Sequence, residues 1–191
     1  MISIKKIAGS SLAVLILFLV TGCGDETVPK PQAYLRLDYP MQTYKLFDEG
    51  CPYTFAYNAL ANVNDKGECN MVVQYPKMKA SIHLTYKQVT ENNLESLLRD
   101  AQKLTYDHVI KANEIGEQPY INPDKKVYGM FYQVGGDAAT NAQFYVTDST
   151  RHFLTGSMYF YAKPNFDSLM PAASYIKDDM RNIMETLRWG K

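Results

Sequence analysis

The chain has 191 residues, and its 20 lysines and arginines are matched by 20 aspartates and glutamates, for a formal net charge of zero. That balance argues against a nucleic-acid partner, whose phosphates require a basic surface, and against a polybasic membrane patch. Fifteen tyrosines are many for this length; they suit strands and wet interfaces, where the ring is buried and the hydroxyl stays paired.

Lys5 and Lys6 precede an uncharged run from Ile7 to Val20. The run is short for a spanning helix, which needs about 20 residues, and it fits the apolar region of a secretory signal. It closes on Val20-Thr21-Gly22-Cys23, an aliphatic residue, two small ones and a cysteine. This resembles a bacterial lipobox. The resemblance implies cleavage before Cys23, a diacylglycerol on its thiol and an acyl chain, palmitate for instance, on the new amino group. The plainer alternatives are an ordinary signal peptide or an uncleaved anchor. One acyl chain holds a protein marginally, whereas two or three hold it for good. Removing residues 1–22 leaves 169 residues with 18 basic against 20 acidic side chains, enough for one domain with a real core. Residues 24–33 carry acids and two prolines and read as an extended tether. The expected organisation is a signal peptide over 1–22, a lipidated N-terminus and tether over 23–33, and a single domain over 34–191.

Residues 34–48 are irregular and aromatic, packing along the domain. Strands are expected over Pro52–Tyr57, Cys69–Tyr75 and Ala80–Lys87. The last alternates Ile82, Leu84 and Tyr86 against Ser81, His83 and Thr85, the period of a half-buried antiparallel strand. If Asn64–Gly67 is a tight turn, Asn62 faces Cys69 and Cys51 lies far along the first strand. Outside the cytoplasm an even cysteine pair suggests a disulfide, so Cys51 and Cys69 are either bridged across a bend or two buried thiols. A helix follows, capped by Asn92 with Glu95 three residues on. Leu94, Leu97, Leu98, Ala101 and Leu104 form its apolar face, and Val109 and Ala112 extend it. Strands resume over 115–121, 127–134, 142–147 and 152–162. They are separated by turns at Asn122–Lys126, at Gly135–Ala138 and at Asp148–Arg151. Gly129 and Gly156 fall inside strands, where glycine marks close approach of another element. A final helix has Asp167 as its cap, Pro171 in its first turn and an apolar stripe from Leu169 to Leu187. The fold class is α+β: an antiparallel sheet of six to seven strands with two amphipathic helices packed on it.

Candidate chemistry is sparse. His83, His108 and His152 lack a second histidine at ligand spacing, and a zinc site needs three or four converging ligands. The Gly135-Gly136-Asp137 triplet lacks the longer pattern of a phosphate cradle, and Gly156-Ser157-Met158 lies in a strand. Asp178 and Asp179 read as a solvated helix face. No catalytic, cofactor or metal residue is assigned, and no cofactor is expected.

Several stretches in order carry a family likeness: Pro29–Pro31, "YLRLDYP" (Tyr34–Pro40), "CPYTFAY" (Cys51–Tyr57), "YPKMKASIHLTYK" (Tyr75–Lys87), "NNLESLLRDAQKLTYDHVIKA" (Asn92–Ala112), "FYVTDSTRHFLTGSMYF" (Phe144–Phe160) and the closing "ETLRW". Together they resemble the gliding motility lipoprotein GldD family of the Bacteroidota. The element order also resembles PsbP-like extracytoplasmic domains. The family resemblance implies a non-enzymatic component of the gliding and type IX secretion machinery. Its partners would be the membrane, through lipid on Cys23, and proteins of that apparatus. It would face the periplasm from the cell envelope, with the choice of membrane open. The alternative is an envelope lipoprotein that binds a small ligand or carries an unrecognised enzymatic activity.

Overall fold

The computed structural model describes residues 39–106, 112–136, 142–161 and 166–190. Cys23, the signal and tether segments, His108, Val109 and the Asp137–Ala138 end of one expected turn lie outside them. The described elements are β1 (Tyr44–Phe47), β2 (Tyr53–Asn58), β3 (Asn62–Asp65), β4 (Met71–Tyr75), β5 (Ala80–Gln88), α1 (Leu94–Tyr106), β6 (Ala112–Asn122), β7 (Val127–Gly136), β8 (Ala142–Thr147), β9 (His152–Phe160), α2 (Phe166–Thr186) and β10 (Arg188–Trp189).

Among the described residues, seven strands form one sheet in the order β3-β4-β5-β9-β8-β7-β6. Every pairing in it is antiparallel. The class is therefore α+β, as the alternating strands and two helical stripes imply. The sheet's centre is the long-range β5–β9 pairing, in which Ile82 faces Met158 and Leu84 faces Gly156. A second, three-stranded sheet of order β1-β2-β10 was not legible beforehand.

The inner face of the large sheet holds Ile82, Leu84, Phe131, Phe144, Val146, Leu154 and Met158. All are buried in one cluster with Ile176, Met180, Ile183 and Leu187 of α2. Those four helix residues recur at three- and four-residue spacing, so one stripe meets the sheet. Each fully buried side chain of this kind contributes about 1.5–3 kcal/mol. Two glycines make room here. A Cβ on Gly156 would enter the Phe144 ring, and one on Gly129 would collide with the Tyr145 carbonyl.

The helices lie on opposite faces. α1 sits over the outer face, where Ala101 and Leu104 line a recess with Tyr132, Tyr145 and Thr155. Its Leu94, Leu97, Leu98 and Ala101 are only half-buried, and Leu104 is exposed. The expected buried stripe is thus a loosely seated one. Its cap is Asn93 rather than Asn92: the Asn93 carbonyl accepts from Leu97 N–H, and its side chain ties back to Thr90 and Gln88. Ala112 opens β6 and does not extend the helix. On the other helix, Asp167 follows the first residue of α2, and Pro171 lies inside it, beyond the first turn.

The β3–β4 hairpin differs most from expectation. Asn62 faces Gln74, not Cys69, and β4 starts at Met71. The turn is longer because Gly67, Glu68 and Cys69 all take positive φ. Asp65 accepts from Gly67 N–H, and Asn70 donates to the Gly67 carbonyl through both its backbone and its side chain. Cys69 therefore sits at the turn, within a Cα–Cα distance of 5.6 Å of Cys51, where the structure draws a disulfide.

Candidate functional site

Helix α2 has a polar margin beside its apolar stripe: Tyr175, Asp179, Asn182 and Thr186. This margin meets the edge of β2. Asn182 Nδ2 donates to the Ala56 carbonyl at 2.9 Å, and Ala56 N–H donates to Thr186 Oγ1 at 3.0 Å. β10 pairs with the same strand only at Tyr53 and Thr54. Two helix side chains thus satisfy backbone groups that an open strand edge would leave to solvent or to another chain.

At the other end of this margin lies a buried polar cluster. Asp179 is fully buried, as is Asn58. One Asn58 Nδ2 hydrogen goes to Asp179 Oδ2 at 2.9 Å and the other to Tyr175 Oη at 3.0 Å. The Asn58 Oδ1 accepts from Leu60 N–H, which fixes which way the amide points. Tyr175 passes its own proton on to the Pro40 carbonyl at 3.1 Å. The hydroxyls of Tyr44 and Tyr75 approach the carboxylate, yet Asp179 Oδ1 and the Tyr75 hydroxyl have no hydrogen bond of ordinary geometry. Burial raises the Asp179 pKa, Asn58, Tyr75 and Tyr44 oppose the shift, and neighbouring Asp178 adds to it. The Tyr75 and Tyr44 hydroxyls are pushed up in turn, first by burial and then by the Asp179 charge.

Asp179 corrects the reading of the Asp178-Asp179 pair as a solvated face. Asp178 is half-exposed and meets Arg181; its neighbour is turned inward. The signal was present in the spacing. Asp179 stands three residues after Ile176 and four before Ile183, inside the stripe.

A second cluster joins the two sheets. His152, nearly buried, accepts or donates at Nδ1 with Tyr86 Oη at 2.9 Å and stacks on Trp189 with ring centroids 5.2 Å apart. Tyr86 stacks in turn on Tyr53, whose hydroxyl donates to the Cys69 carbonyl at 2.6 Å. Burial lowers the His152 pKa, with Asp148 opposing. Asp148 itself would be raised by burial, but backbone N–H groups of Arg151, His152 and Thr150 outweigh that and hold it low. His83 is exposed, 3.0 Å from Ser81 Oγ, and is not near His152 in the sheet register. The recess under α1 is shallow, with room for about one water molecule, and its lining is largely apolar. Among the described residues no three histidines, cysteines or carboxylates gather as metal ligands, and no helix is long and apolar enough to cross a membrane.

A family model described as gliding motility lipoprotein GldD matches residues 24–189. The match begins one residue after Cys23 and ends on Trp189. No curated protein matches the chain.

Proposed function

The chain belongs to the gliding motility lipoprotein GldD family, and we propose that it acts as a membrane-anchored, non-enzymatic assembly or stability factor of the gliding and type IX secretion machinery. The observation that carries this reading is the length of the family match, which spans nearly all of the chain beyond Cys23. In this reading residues 1–22 are removed, Cys23 carries the lipid, residues 23–33 form the leash, and a single domain over 34–191 faces the periplasm. Cys51 and Cys69 form a structural disulfide, in keeping with an oxidising compartment. The half-buried polar groups serve packing: Asn182 and Thr186 close a strand edge, and Asp148 organises a turn.

The test is crosslinking in the native envelope followed by co-purification. Gliding and secretion proteins should be enriched with the tagged wild-type chain, and much less with Cys23→Ala. Equal recovery of such proteins from an untagged control would count against the proposal. Labelling with a fatty-acid analogue should follow Cys23 and vanish in the same variant.

A further inference from the structure

The stretch that leads from the anchor into the domain is fastened by three separate contacts to one residue of α2, Tyr175. Tyr175 Oη donates to the Pro40 carbonyl, and Gln42 Nε2 donates to the Tyr175 carbonyl at 3.1 Å. The Tyr39 and Tyr175 rings lie 5.0 Å apart. Behind them, Asn58 donates to the Tyr175 oxygen and to Asp179. Donor and acceptor roles run one way through this chain. Asp179 takes one proton of the Asn58 amide, which turns the other toward Tyr175. With its oxygen so occupied, the Tyr175 hydroxyl directs its proton at Pro40. The contacts bridge sequence separations of 117 to 135 residues, so they are not by-products of a local turn. Beside the pairing of β1 with β2 and the Ala59 N–H bond to the Thr43 carbonyl at 2.7 Å, apolar packing adds little here: Met41 is 93 % and Leu46 68 % exposed.

We propose that Tyr175, backed by the Asn58–Asp179 pair, is a clasp that pins Tyr39–Gln42 to α2 and fixes the point at which the anchored chain leaves the domain. The clasp rests on the reading of Cys23 as the anchor only for its use in the cell. With it closed, sixteen residue steps separate Cys23 from Tyr39, a reach of at most roughly 58 Å. Opening it releases the stretch up to β1 and lengthens the leash. The clasp thereby limits both how far the domain stands from its membrane and which side it turns there.

The test is hydrogen exchange by mass spectrometry on the full mature chain in detergent, comparing wild type with Tyr175→Phe. This variant keeps the ring and loses both hydroxyl contacts. Exchange across residues 39–47 should rise about 5- to 30-fold, the equivalent of one or two lost hydrogen bonds, while β5 and β9 amides stay protected. Gln42→Ala, which leaves the core untouched, should give a smaller rise in the same segment. Exchange within twofold of wild type in both variants would overturn the clasp, as would an equal rise in β5 and β9. Fatty-acid labelling separates the two ideas: a wild-type chain that takes no label at Cys23 sinks the anchor reading, and unchanged exchange over 39–47 in Cys23→Ala leaves the clasp standing.

Discussion

Asn58→Ala gives the sharpest test of the buried cluster. The substitution removes the one hydrogen bond of ordinary geometry that Asp179 receives, at 2.9 Å, the donor to Tyr175 Oη and the acceptor for Leu60 N–H. A hydrogen bond to a charged group is worth about 1.5–3 kcal/mol and a neutral one about 1 kcal/mol. With one charged and two neutral bonds lost, the expected cost at neutral pH is about 4 kcal/mol, because the carboxylate stays buried. The sign with pH follows from the cause of the shift. Burial raises the folded pKa of Asp179 above its unfolded value, so the charged form costs stability once pH exceeds the unfolded value, and that cost is relieved as pH falls through the folded value. Asn58 opposes the shift, so removing it raises the folded pKa further. The penalty of Asn58→Ala should then be largest at alkaline pH and shrink as pH falls toward the ordinary carboxylate range. Urea unfolding of both proteins at falling pH measures it. A penalty below 1 kcal/mol at pH 8, or one that does not change with pH, would refute the reasoning.

Three further outcomes follow from the packing. Replacing Cys51 and Cys69 with serine opens a loop with a sequence separation of 18; chain entropy alone assigns that closure about 3 kcal/mol. Thermal unfolding should show a clear drop in Tm matched by reduction of the wild type, and thiol titration of the unreduced, denatured domain should find neither cysteine free. Gly156→Ala should be destabilising by about 1–3 kcal/mol, the scale of overpacked cores, because its Cβ would enter the Phe144 ring. Gly116→Ala meets only the Gln133 Cβ at 3.8 Å and should be neutral or mildly stabilising by denaturant unfolding.

The strands and helices with strong periodicity were legible in the sequence. Ile82 and Leu84 alternate as the inner face requires, and Ile176 through Leu187 mark a stripe that meets the sheet. Features that depend on distant partners were not. β1 has one buried residue, Phe47, and β10 is two residues long, so neither carries a period of its own. The hairpin register was hidden because Glu68 and Cys69 take left-handed conformations that their side chains do not favour. α1 has a clean apolar stripe, but the sheet face beneath it is tyrosine-rich and shallow, so the stripe is half-buried. The Asp179 cluster was missed for a different reason. Two adjacent acids on a helix look like solvent contacts, and only the stripe's phase separates one from the other. Asn58, Tyr175 and Pro40 lie more than a hundred residues apart in places, and no local pattern brings them together.

The central claim is that an anchored member of this family sustains gliding or type IX secretion in its cell. The direct measurement is complementation of a deletion strain, scored by colony spreading and by the amount of type IX cargo outside the cell. The account predicts that the deletion loses these, that the wild-type gene restores them, and that Cys23→Ala accumulates as folded protein without restoring them. A deletion strain that spreads and secretes normally, or full rescue by an unlipidated Cys23→Ala protein, would contradict it.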